Sequence, residues 1–212
     1  MLISYSEEKN RRQVPKLKDY LSVKKYCDNL YCYLQVMSKY DEEKKQRYLL
    51  KKDVKFNKIG EDLEISRQTA STRFKNLIEM GLVIEEPIEK KYILVSLDKE
   101  VAELIPFSTL RILTNTVKDK VISVYVYLLV RYRAEDQKNF YFTYSQIKKY
   151  VGIGDSRSTD YIVSDILFIL KKLELVNYIK EWKEDENGLK SVYRVIEINN
   201  KIDNFKDVAI KF

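Results

Sequence analysis

Apolar residues recur at three- and four-residue spacing between 19 and 40: Leu21, Tyr26, Leu30, Tyr33, Leu34 and Met37. That spacing predicts a helix, because 3.6 residues per turn bring such positions onto one face. Lys44, Lys45, Arg47, Lys51 and Lys52 surround Tyr48-Leu49-Leu50 and read as a charged connection. Val54 and Phe56 read as a short strand, and Asn57 is placed to cap a short helix ending at Leu63. After a tight turn at Glu64-Ile65, Ser66 is a good N-cap for a longer helix, its hydroxyl accepting from the free first-turn amides. Phe74, Leu77 and Ile78 form the inward stripe of that helix, and Gly81 falls where a left-handed residue ends it. Residues 82–84 and 92–95 then predict a hairpin, with Pro87 near its tip.

The order then repeats. Residues 117–133 predict an apolar helix, 140–142 a short aromatic strand, and Thr143 the cap of a helix over TYSQIKKYVG. The turn IGDSRS leads into TDYIVSDILFILKKLELV, and residues 178–183 and 191–198 predict a second hairpin around Asn187-Gly188. Ile59 and Ile65 are echoed by Ile147 and Ile153, and Leu82-Val83 by Leu175-Val176. The second turn or helix is longer than the first. Such self-similarity over a whole series of elements argues for one architecture used twice.

Composition narrows the chemistry. Five Gly and three Pro in 212 residues leave little chain for linkers, and a hydrophobic content of 45% suits a packed protein. There is no His, which removes Ser-His-Asp and Cys-His catalysis and His-containing zinc sites. Cys27 and Cys32, about 500° apart around a helix, point to different faces and read as core thiols. No G-x-x-x-x-G-K-[ST] occurs, and Asp53, Glu61, Asp62 and Glu64 match no two-metal spacing. No catalytic residue, metal or cofactor is therefore expected. The most apolar run, 121–130, is too short to span a bilayer, and without a disulfide framework or leader pattern the chain is expected in the cytoplasm, off the membrane. The net charge of +7 is spread over both halves and suits a polyanion partner.

Helix, short strand, helix, turn, helix, hairpin is the order of a winged helix-turn-helix. The expected fold is mainly α with small β-hairpins, an α+β chain of two tandem winged helix-turn-helix domains. Residues 1–18 are expected as a basic arm, 19–100 as the first domain, 101–200 as the second and 201–212 as a tail. KFNKIGEDLEISRQTASTRFKNLIEMGLV resembles the helix-turn-helix of bacterial winged-helix DNA-binding proteins, with I-S-R-Q-T opening the recognition helix. The second half, from IPFSTLRILTNTVKDKVISVYVYLLVRY to ILKKLELV, looks like winged-helix proteins of Gram-positive plasmids, phages and integrative elements. The resemblance implies a replication initiator or organiser that binds origin repeats in double-stranded DNA and recruits helicase or primase. A transcription regulator, or an interaction scaffold without DNA binding, are the alternatives.

Carried over residue by residue, the resemblance nominates Ser66, Arg67, Gln68, Thr69, Ser71, Thr72, Arg73 and Lys75 for the major groove. Arg and Lys pair with guanine, Gln with adenine, and Ser or Thr with base edges or phosphate. Lys148, Lys149 and Arg157 are expected to hold phosphate in the second half. There the equivalent helix carries Asp160 and Asp165, which repel phosphate, and it is apolar on several faces through Ile162, Val163, Ile166, Leu167, Ile169 and Leu170. It therefore suggests a protein contact, within one chain or in a homodimer, with a larger internal core as the alternative. Both wing tips are mixed or acidic. Tyr125, Tyr127, Tyr141 and Tyr161 are expected in the core.

Overall fold

The computed structural model describes residues 11–15, 28–97, 102–116, 120–135, 140–185 and 188–199. Seven α-helices and three small antiparallel sheets are described, an α+β architecture. The first strand, β1 (Arg11–Pro15), lies in the segment expected to be a free arm. Helix α1 (Asp28–Met37) falls inside the helix expected over 19–40, and residues 19–27, with Leu21, Tyr26 and Cys27, lie outside the described residues. A hairpin follows, β2 (Lys39–Asp41) and β3 (Gln46–Leu50). The expected charged connection is thus a strand pair, with Lys45 at φ +49° in its turn. The strand expected at Val54 and Phe56 is displaced accordingly: Val54 follows a 3-10 turn, and Phe56 opens α2 (Phe56–Asp62). Lys55 takes the N-cap position of α2 without a side-chain bond, so Asn57 is not the cap.

Helix α3 (Arg67–Glu79) starts as its sequence predicts. Ser66 is extended, and its Oγ accepts from the Thr69 amide at 3.0 Å. Ala70, Phe74 and Leu77 are buried along one side, and Gly81 at φ +68° ends the helix. Strands β4 (Val83–Glu86) and β5 (Lys91–Leu94) follow, giving a sheet ordered β2-β3-β5-β4.

The joint between α2 and α3 is tight. The Ile65 amide donates to the Gly60 carbonyl at 2.9 Å, and Glu64 adopts φ +50°. A Cβ on Gly60 would lie 2.6 Å from the Ile65 carbonyl oxygen, a backbone atom that cannot swing aside. Gly60→Ala is therefore expected to destabilise the protein by ~1–3 kcal/mol, the usual cost of overpacking. An unchanged urea midpoint would contradict this tight approach.

Strand β6 (Ala102–Pro106) pairs antiparallel with β1, Gln13 opposite Leu104. Helix α4 (Phe107–Thr114) leads to α5 (Val121–Ala134), with Lys120 at φ +71° just before it; residues 117–119 of the expected helix lie outside the described residues. Then come β7 (Tyr141–Phe142), α6 (Tyr144–Val151), a 3-10 turn (Arg157–Thr159) and α7 (Asp160–Lys172). Strands β8 (Val176–Asp185) and β9 (Gly188–Ile198) complete a sheet ordered β7-β9-β8. Thr143 caps α6 as expected, in a reciprocal box with Gln146.

The repeat extends to single hydrogen bonds. Ile65 to Gly60 in the first unit becomes Ile153 to Lys148 in the second, both at 2.9 Å. Leu82 to Leu77 becomes Leu175 to Leu170, both at 3.0 Å. Tyr31 on α1 donates its hydroxyl to the Val95 carbonyl at 3.2 Å, and Tyr125 on α5 donates to that of Asn199 at 3.1 Å. Val95 and Asn199 in turn donate their amides to the Leu82 and Leu175 carbonyls. Left-handed residues recur as well, Glu64 with Gly152 and Gly81 with Glu174.

Two apolar clusters follow from this plan. Phe74, Leu77, Ile59, Leu49 and Leu94 form the first with Leu30, Tyr31, Tyr33 and Leu34 of α1. The second gathers α5, α6, α7 and their sheet, but also Val14 of β1 and Cys32 of α1. Cys32 is fully buried, and Val36 packs beside it on the same side of α1. Helix α1 thus serves both cores, with opposite faces. Residues 11–15 of the segment expected as an arm are tied into the second cluster, since Val14 is buried there, while 1–10 and 16–18 lie outside the described residues.

Candidate nucleic-acid interface

Helix α3 is held from behind. Phe74 meets Phe56 edge-on at 5.5 Å and Tyr92 at 4.9 Å. The Tyr33 hydroxyl donates to Asp62 at 2.5 Å, which fixes the end of α2 to α1, and burial together with that carboxylate pushes the phenol pKa upward. The opposite side of α3 is polar. Arg67, Gln68, Thr72 and Lys75 are exposed and Ser71 is half-buried, all within an arc of about 140° at 100° per residue. No acidic residue occupies the first turn, so the helix itself supplies no carboxylate against the positive end of its dipole.

Not all eight nominated residues join this face. The Ser66 and Thr69 hydroxyls lie 2.8 Å apart and close the helix start. Thr69 and Arg73, both half-buried, fall on the far flank of α3 at helical spacing. The face that remains is Arg67, Gln68, Ser71, Thr72 and Lys75.

The β4–β5 hairpin is less acidic in effect than its sequence suggests. Glu85 is paired with Lys51, and Glu89 with Lys44 and Lys91. Hydrogen bonds from those two lysines hold the Glu89 carboxyl down at about 2. Ile88 stands out at the tip, 89% exposed.

The second unit departs from the first at the same positions. Counting from the shared left-handed residue after each helix, Gln68 corresponds to Tyr161, Ser71 to Ser164, Thr72 to Asp165 and Lys75 to Phe168. Tyr161 is 64% exposed, against the expectation of a core tyrosine, and Phe168 is 57% exposed. Tyr125 and Tyr127 are buried as expected, and Tyr141 is half-buried. Val163, Ile166, Leu167, Ile169 and Leu170 are absorbed by the core of their own unit, with Ile162 against it. The greasy faces of α7 are thus explained internally.

Lys148, expected to hold phosphate, is instead buried and paired within the protein. It is 2% exposed; its ammonium pairs with Asp160, lies 3.7 Å from Asp155 and donates to the Ser156 carbonyl at 2.7 Å. It occupies the position of Gly60 in the first unit. Where Gly60 lets α3 sit directly on α2, Lys148 fills the joint and ties down the longer turn before α7. Tyr144, Ile147, Lys148 and Val151 share an i, i+3, i+4, i+7 phase, the sequence signal that this lysine points inward. Lys149 and Arg157 are exposed.

A second basic group went unnoticed in the sequence because it is assembled from distant segments. Arg11 of β1, Lys45 of the β2–β3 turn and Arg47 of β3 line one cavity with Gln35 of α1. Among the described residues no group of three His, Cys, Asp or Glu is placed to hold a metal ion. No described helix is long and apolar enough to cross a membrane. Comparison with family models, curated proteins and solved structures gives no match for this chain.

Proposed function

We propose that the chain is a tandem winged-helix protein that binds double-stranded DNA, with α3 in the major groove. The observation that carries this reading is the exposed face Arg67, Gln68, Ser71, Thr72 and Lys75 on a helix backed by Phe74. An α-helix fits that groove, and these side chains supply guanine, adenine and phosphate contacts. Lys149 and Arg157 add backbone contacts from the second unit. The reading assigns no catalytic step, cofactor or metal.

Within it, we favour a replication initiator or organiser of a plasmid, phage or integrative element, binding origin repeats. Its second unit, with Tyr161 and Phe168 in place of Gln68 and Lys75, would meet a protein such as helicase or primase, or a second copy of the chain. A transcription regulator is the second reading, and the cation-lined cavity favours it, because regulators answer to ligands. Salt dependence tests DNA binding itself. With three to four phosphates neutralised by Arg67, Lys75, Lys149 and Arg157, log K against log salt is expected to fall with a slope of roughly −3 to −4. No duplex binding at low salt would leave the scaffold as the surviving function.

A further inference from the structure

The cavity between β1 and the first sheet combines two observations that point to a ligand. Its walls carry Arg11, Lys45 and Arg47, and none of the described residues lining it is a carboxylate. Its floor includes Gln35, only 2% exposed, whose Oε1 has no hydrogen-bond partner among the described residues. Gln35 Nε2 donates to the Tyr31 oxygen at 2.8 Å, and Tyr31 spends its own proton on the Val95 carbonyl. Oε1 is therefore left as an acceptor awaiting a donor, at a cost that favours anything able to supply one.

We propose that this cavity binds inorganic phosphate or a phosphate monoester, the cations taking its anionic oxygens and Gln35 Oε1 accepting its P–O–H or a neighbouring hydroxyl. The space is about 50 Å³. On the measure by which one water needs about 10–15 Å³, that admits a tetrahedral oxyanion. The positive charge extends behind the wall. Arg12 is buried with its guanidinium 4.6 Å over the Phe107 ring, and burial and the neighbouring Arg47 push its pKa down to about 10. An anion in the cavity relieves that crowding.

The floor discriminates. Sulfate has the same shape and charge but no proton at neutral pH, so its oxygens would face Oε1 with nothing to donate. A DNA phosphodiester likewise has no P–O–H. The site thus selects inorganic phosphate, whose dianion keeps one P–O–H at neutral pH, or a monoester that carries a hydroxyl beside its phosphate, and it stands whether or not α3 reads DNA. Strand β1 pairs with β6 of the second unit, while β3 belongs to the first, so the ligand would bridge the two units.

The test is thermal unfolding of the full chain with inorganic phosphate, sulfate or adenosine 5′-monophosphate at matched ionic strength. At about tenfold excess over Kd, phosphate is expected to raise Tm by roughly 3–6 °C, and sulfate by less than half as much. Arg47→Gln should weaken phosphate binding about tenfold, the loss of one charge-assisted contact. Lys45→Asn, in an exposed turn whose left-handed backbone suits Asn, should weaken it without unfolding the chain. A larger shift with the monoester than with phosphate assigns the site to an attached phosphate, and the reverse to the free ion. Equal shifts with sulfate, shifts unchanged in both variants, or no shift would overturn the proposal. So would loss of the phosphate effect on saturation with duplex DNA, which would make the cavity part of the DNA track.

Discussion

Reversing charge at Arg67 and Lys75 together is expected to lower duplex-DNA affinity by 100-fold or more while leaving Tm unchanged. Each side chain is exposed and outside both cores, so its loss removes no packing. One groove contact of this kind is worth ~1–3 kcal/mol, and replacing a cation with Glu adds repulsion from phosphate. Arg73→Ala is the internal contrast, since Arg73 lies on the far flank of α3 and should leave sequence preference intact. Fluorescence anisotropy with a selected duplex at fixed salt measures both. If Arg73→Ala weakens binding more than the double reversal does, the reading face has been placed on the wrong side of the helix.

Phe74→Ala is expected to cost ~3–5 kcal/mol of stability, the range for removing a buried aromatic. The ring is 2% exposed and stands between Phe56 and Tyr92, so its loss empties the space that joins α3 to α2 and to the sheet. Edge-on packing of this kind adds ~0.5–1.5 kcal/mol for each pair beyond the buried area. Urea unfolding checks the value, and a loss below 1 kcal/mol would show that the sheet, rather than the aromatic trio, sets the roll of α3.

Local signals were legible in the sequence, and distant ones were not. Ser66, Gly81 and Thr143 were read correctly because a cap or a left-handed exit depends on a few neighbouring residues. The strand β3 was missed because its three apolar residues, Tyr48 to Leu50, are flanked by Gln46, Arg47 and Lys51, and its stability comes from pairing with β5, whose Ile93 lies opposite Tyr48. The strand β1 offers only Val14 as an apolar sign of burial, and its partner strand β6 lies some ninety residues on, in the second unit. For the candidate site, helical phase separates Arg67 and Lys75 from Arg73, a distinction open to anyone counting 100° per residue. The cavity around Gln35 was not legible, since Arg11, Gln35 and Arg47 come from three separate elements.

The helix α1 has a consequence for how such a chain changes over generations. In a doubled protein each copy would ordinarily be a module, open to loss, exchange or fusion elsewhere. Here Leu30, Tyr31 and Leu34 complete one copy while Cys32 and Val36 close the other. Cutting the second copy away would lay Cys32 and Val36 bare, and an exchange would need a newcomer already shaped to that face. The two copies are thus inherited as a pair, and substitutions on α1 are constrained from both sides at once.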